Sequence, residues 1–354
     1  MFVINKIQWS ALLLVLLISN LDAQPATVAR ETVKLDSTTL YTPKGWRPPT
    51  AERREFQSAN SKLVVFSRSF SRGDVCYFEI LPKAQTGNTA TDDVSHTIYY
   101  SAGGPNRQIV LHRFKDGNIE GLQGLFLISP EQKTDAKLSW VQKSKSGTVK
   151  EDYVLKVHLK QFPESKSVLP FEKKFVDPDK SKLAELTKRI QAEREMKNKA
   201  FSSRSEWSFT NELSHPRDMH YITSAFFSSR LNQRYKDENG KRVYLPPVRS
   251  VHRGVDFRGV TGTPVFAVAP GTVVLAHHMH FEGNFTLVDH GNGVFIGYMH
   301  QSKILVKVGD TVKAGQIIGE VGATGMVTGS HLHLSIWVLG IPGDALSLLS
   351  LPLR

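Results

Sequence analysis

Residues 329–337 read Gly-Ser-His-Leu-His-Leu-Ser-Ile-Trp, and this alternation of polar and apolar side chains fits a strand with one face in a core. Side chains two apart on a strand share a face. His331 and His333 therefore point the same way, while Leu332, Leu334 and Ile336 point into the core. Two imidazoles side by side pack poorly but begin a metal site well. His252 and Asp256 add an imidazole and a carboxylate, with Gly254 between them to let the backbone bend. Two histidines and one carboxylate form a ligand set seen in catalytic zinc sites, which leave the fourth position to water. His252, Asp256 and His333 are assigned to the metal on this basis. His331 then lies beside the metal but unbound, and His300, in Tyr298-Met299-His300, is a further candidate. Zinc lowers the pKa of bound water and polarises a carbonyl. Unliganded imidazoles nearby take and give protons near neutral pH. Together this is equipment for hydrolysing an amide.

The order H-x3-D, Y-x-H, H-x-H, with glycine-rich strands between, resembles the M23 family of zinc metallopeptidases (lysostaphin/LytM-type). The resemblance runs from about Tyr221 to Leu349 and includes Gly262-Thr263-Pro264-Val265, Asp289-His290-Gly291, Val308-Gly309-Asp310-Thr311-Val312 and Gly322-Ala323-Thr324-Gly325. It implies that His252, Asp256 and His333 bind Zn2+, that His331 and His300 are the catalytic histidines, and that the substrate is a peptide bond of peptidoglycan. In the implied mechanism His331 helps deprotonate the attacking water, while His300 stabilises the oxyanion or protonates the leaving amine. Family members often show Phe-Gly before the first motif. Phe226-Phe227 stands there instead, an exchange expected to reshape the groove entrance. Near the end, Gly343-Asp344-Ala345 replaces the usual Asp-Pro.

The N-terminus sets the expected compartment. Lys6, the apolar run Ala11–Ile18 and the polar exit Ser19–Ala23 read as a secretory signal peptide over 1–23, too short to span a membrane. The mature chain is then periplasmic or secreted, with no stable membrane insertion. The net charge of +12 favours anionic surfaces such as acidic wall polymers, and no nucleic-acid motif accompanies it. Cys76 stands alone in the chain, so no internal disulfide forms, and its apolar neighbours predict a buried thiol.

Residues 24–61 are polar and dotted with proline, an expected extended leader, partly ordered. From 62 to 160, short β-rich runs such as Leu63–Phe66, Val75–Leu81, Ile109–Phe114, Leu125–Ile128 and Ala136–Trp140 alternate with turns, predicting a β-sandwich. The stretch Ser71-Arg72-Gly73-Asp74 before an apolar strand resembles the small β-domain preceding the catalytic domain of some M23 peptidases. Residues 161–206 form a basic linker and a charged helix over Pro178–Lys199, capped by Asp177, with a sparse stripe of Leu183, Leu186, Ile190 and Met196. Residues 207–354 are the expected mostly antiparallel β peptidase domain.

His277, His278, His280 and Glu282 form a second cluster. The turn Glu282-Gly283-Asn284 carries Glu282 off their face, and they read as surface or groove rim. His290 reads as hairpin architecture beside Gly291 and Gly293. Lys307–Gly319 also resembles half of a biotinyl/lipoyl carrier, but Ala323–Met326 offers no lysine to modify. The resulting expectation is an exported zinc endopeptidase acting on peptidoglycan stem or cross-link peptides. The alternative is a LytM-like wall-binding activator of a separate amidase.

Overall fold

The run Val75-Cys76-Tyr77-Phe78-Glu79-Ile80 is buried on both faces, and the architecture follows from that. The computed structural model describes residues 40–83, 94–102, 106–170 and 180–354. The expected signal segment, residues 24–39 of the leader, and the Asp177 cap with Pro178 lie outside the described residues. Strand Val75–Pro82 sits inside a five-stranded antiparallel sheet between Ser61–Ser67 and Ile119–Leu127, with Glu52–Gln57 and His112–Asp116 at its edges. On one face Cys76, Phe78 and Ile80 meet Ile98, Leu138, Trp140 and Leu155 of a second, four-stranded sheet. That packing makes the N-terminal sandwich. Burial there pushes the Cys76 thiol far up, so it is inert as a nucleophile.

On the other face Val75, Tyr77, Leu125 and Leu127 join one core with Leu349, Leu351 and Leu353 of the C-terminal tail and with the C-terminal domain. Two polar clamps close this seam. Arg354 bonds Glu79 at 2.6 Å and pairs with Asp116. Arg68 bonds Asp74 at 2.7 Å and Asp344 at 2.8 Å, and Asp344 also caps the short helix Ala345–Leu348. Asp74 is fully buried, so removing its cation leaves an interior carboxylate with only the neutral donors of Ser67, Ser69 and Ser71. Arg68→Ala is expected to cost about 3 kcal/mol. A lower urea midpoint at unchanged slope is the expected reading, and an unmoved midpoint would refute it.

The C-terminal domain is built on an eight-stranded sheet. Its order is Ile222–Ser224, Val255–Arg258, His331–Val338, Val294–Gln301, Gly283–Asp289, Gly271–Met279 and Thr311–Val312, with Ile341–Gly343 pairing beside His331–Val338. All the described pairings within it are antiparallel. A three-stranded sheet, Pro264–Phe266, Ile317–Glu320 and Lys303–Ile304, lies in the same domain.

The end of the leader carries the partial order expected of it, while the linker and the helix differ from the sequence expectation. The end of the leader is structured: Glu52–Gln57 is an edge strand, Tyr41 stacks on Phe266 at 4.7 Å, and Trp46 stacks on His220 at 5.1 Å. In the linker, Glu164–Pro170 is a strand running parallel to Ser229–Glu238, so backbone hydrogen bonds tie it to the C-terminal domain. The helix spans Lys180–Phe201 and docks by a polar face. Glu193 accepts from the His280 amide at 2.9 Å, and Lys197 pairs with Glu282 at 2.5 Å. Leu183 and Met196, members of the expected stripe, remain exposed. Ala200 and Phe201 end the helix against Leu275, Phe285 and Phe295.

Candidate metal centre

Strand register brings the candidates together. Asp256 is the direct partner of His333, and Arg258 of His331, across the antiparallel pair Val255–Arg258 and His331–Val338. Opposed residues share a face. His252, just before the first of these strands, reaches the same point. His252 Nε2 lies 2.9 Å from Asp256 Oδ1, His333 Nδ1 lies 2.8 Å from it, and the two ring nitrogens are 3.0 Å apart. Among the described residues, these ligand atoms all fall within 4.8 Å of one another. His331 Nε2 stands slightly back, 3.6 Å from Asp256 Oδ1.

His300 arrives by a different device. Simple alternation would set it on the same face as Tyr298, which is buried and accepts from the Val268 amide at 2.8 Å. Between the pairs Thr286–Tyr298 and Asn284–Gln301, one residue on one strand opposes two on the other. This is a β-bulge, and His300 adopts φ +64 in it. The turn brings the His300 ring to 5.0 Å from His331 and 5.8 Å from His333, centroid to centroid. Such backbone strain in a non-glycine residue concentrates at functional sites.

The outer nitrogens fix the tautomers. His252 Nδ1 meets the Ala225 carbonyl at 3.0 Å, His331 Nδ1 the Gly329 carbonyl at 2.8 Å, and His300 Nδ1 the Thr324 carbonyl at 3.0 Å. A carbonyl only accepts, so each of these nitrogens carries the hydrogen. The Ser335 hydroxyl donates to the Arg253 carbonyl at 3.1 Å and so accepts from His333 Nε2 at 2.9 Å. In every ring the inward nitrogen is left with a lone pair. Burial, aided by His333 and His331, lowers His300 to about 4, so it is neutral at neutral pH. Burial likewise lowers His333. A carboxylate and several imidazole lone pairs thus face one small space, which a cation reconciles. The donor set fits a divalent metal with nitrogen and oxygen preference.

Gly254 forms the expected bend before the Val255–Arg258 strand, and it has a second role. A Cβ there would lie 2.4 Å from His333 Nε2 and 2.6 Å from Ser335 Oγ, so its bare Cα leaves room for the second hydrogen-bond layer. Phe227 stands where the resembling family often has glycine, and it holds φ +58. The glycine-like backbone is kept without the glycine, and the Phe227 amide donates to the His252 carbonyl at 2.7 Å. Ser335 escaped the sequence reading, although its place two residues after His333 was a usable signal. Thr324 and Ala225 act through backbone carbonyls; Thr324 lay within the Gly322–Gly325 motif without a role read for it, and Ala225 left no signal.

The second histidine cluster stays outside this centre. His277 and His278 are exposed on the Gly271–Met279 strand, and His278 bonds Asn284 at 2.8 Å. His290 is fully buried, its Nδ1 at 2.6 Å from the Pro270 carbonyl.

Residues 250–345 match peptidase family M23. The chain is 40% identical over 123 residues to peptidoglycan DD-endopeptidase ShyC of Vibrio cholerae, covering 34% of this chain and 28% of that protein. It is 45% identical over 95 residues to ShyA of the same organism, covering 27% and 22%. To lysostaphin of Staphylococcus simulans it is 47% identical over 85 residues, covering 23% and 17%. The matched part thus spans at most 28% of each of these relatives' own length. A crystal structure of a Pseudomonas aeruginosa protein assigned to peptidase M23 superposes with TM-score 0.50 at 22% identity, covering 79% of this chain and 96% of that one, which shows a shared fold.

Proposed function

We propose, from the match of residues 250–345 to peptidase family M23, that this chain is an exported zinc endopeptidase acting on the peptides of peptidoglycan. The observation that carries this reading is the convergence of His252, Asp256 and His333 within 4.8 Å, with their unprotonated faces turned inward. Those three residues would hold Zn2+. When bound, the ion polarises the scissile carbonyl and makes water a nucleophile near neutral pH. His331 Nε2, unprotonated and the most exposed of the four rings, takes the proton of the attacking water and returns it to the leaving amine. His300 offers a second lone pair that orients the same water. An oxyanion role would require a proton on its Nε2, and burial works against that charge. This differs from the part the family resemblance suggests for it.

The name DD-endopeptidase borne by the Vibrio relatives points to the D,D cross-link as the bond. Among the described residues, no helix is long and apolar enough to cross a membrane. The full chain, incubated with purified peptidoglycan, is expected to release fragments whose masses show cut cross-links. A chelator should stop the release and added zinc restore it. No fragments under either condition would sink the peptidase reading in favour of the amidase activator.

A further inference from the structure

A cavity of about 360 Å3 opens between the N-terminal sandwich and the C-terminal sheet. Among the described residues it is lined by Arg107 and Glu131 on one side and by Phe227, Arg253, Ile341 and Pro342 on the other. We propose that this cavity binds a carboxylate of an acidic peptide between Arg107 and Arg253, and so anchors the substrate beside the metal centre. The proposal rests on the peptidase reading and adds a second point of contact to it.

Three observations lead there. Neither arginine side chain has an ion pair or hydrogen bond among the described residues, whereas Arg68, Arg189, Arg217 and Arg354 all have carboxylate partners. Two like charges line one cavity with a single carboxylate, Glu131, so it is net cationic. A guanidinium is a planar fork of donors that matches a carboxylate with two parallel hydrogen bonds. Finally, Arg253 follows His252 directly, and its carbonyl accepts from the Ser335 hydroxyl that accepts from His333. A peptide held at Arg253 is therefore bound to the residue that follows His252 and whose carbonyl supports His333 through Ser335. The volume is at the small end of ligand pockets, room for one or two residues of a peptide.

Isothermal titration of the full chain with a synthetic stem pentapeptide, as free acid and with its carboxylates amidated, tests this without needing turnover. The acid is expected to bind at least about tenfold more tightly than the amide. Arg107→Gln and Arg253→Gln should each weaken the acid about tenfold and leave the amide unchanged. Arg107→Lys keeps the charge, loses the fork and should fall between. Glu131→Gln, which removes the opposing charge, should tighten the acid about twofold. Equal binding of acid and amide, or indifference to both arginines, overturns the proposal. So does acetate that competes as well as the peptide, since the site would then take any small anion. A chain that binds the acid through both arginines yet cuts no wall leaves this inference standing and removes the peptidase reading. Wall cleavage with unchanged KM in Arg107→Gln does the reverse.

Discussion

His331→Ala is expected to keep its zinc and lose turnover by about a hundred- to ten-thousand-fold, the range for one positioned proton acceptor. His252→Ala is expected to lose zinc and turnover together. The two rings lie on the same face of the same site, so the contrast rests on distance and tautomer. His252 Nε2 is 2.9 Å from Asp256 Oδ1 and 3.0 Å from His333 Nδ1, inside the converging group. His331 Nε2 is 3.6 Å from that oxygen and outside the group. Its Nδ1 hydrogen is tied to Gly329, which leaves a basic nitrogen facing the site without a partner closer than Asp256. Zinc per chain by atomic emission and turnover on purified wall separate the roles. Metal loss in His331→Ala as complete as in His252→Ala would make His331 a ligand. Full metal in His252→Ala would remove His252 from the ligand set.

The candidate residues were legible because His331 and His333 sit on an alternating strand and His252 and Asp256 are spaced to meet. What joins them was not legible. The partnership of Asp256 with His333 is a register between strands some 75 residues apart, and no local pattern encodes it. His300 is the sharper case. Period-two alternation would bury it with Tyr298, and only the bulge turns it to the site. The strand-rich character of both domains was readable from their short apolar runs. The single run Ile109–Phe114, however, divides between two sheets, Arg107–Ile109 in one and His112–Asp116 in the other. Glu52–Gln57 has no apolar alternation because it is an edge strand with a largely exposed surface. The continuous burial of Val75–Ile80 has a cause at the far end of the chain, where Leu349, Leu351 and Leu353 cover its second face.

Gly325→Ala is expected to lower turnover at least about tenfold while leaving zinc bound, and to cost about 2–4 kcal/mol of stability. Gly325 holds φ +79, where a Cβ is strained, and that Cβ would stand 2.3 Å from the Gly283 nitrogen and 2.6 Å from the Phe281 carbonyl. Gly283 in turn holds φ +62, with its own Cβ position 2.3 Å from the Thr324 carbonyl carbon. Two bare backbones are pressed together, and both serve His300. The Thr324 carbonyl accepts from His300 Nδ1 at 3.0 Å, and the Glu282 carbonyl accepts from the His300 amide at 2.9 Å. The Thr324 hydroxyl completes the joint, accepting from the Asn284 amide at 2.9 Å and donating to the Gln301 carbonyl at 2.7 Å. A methyl group at position 325 must push the loops apart and carry the Thr324 carbonyl off the His300 ring. The converging residues His252, Asp256 and His333 belong to other strands, so metal binding is spared. A purely structural defect would lower activity in proportion to the unfolded fraction. A positioning defect instead follows His300. In a His300→Ala background, Gly325→Ala should therefore cost stability again but little further turnover, because the residue it misplaces is already gone. Full additivity of the two losses in turnover would show that the glycine pair does not act through His300.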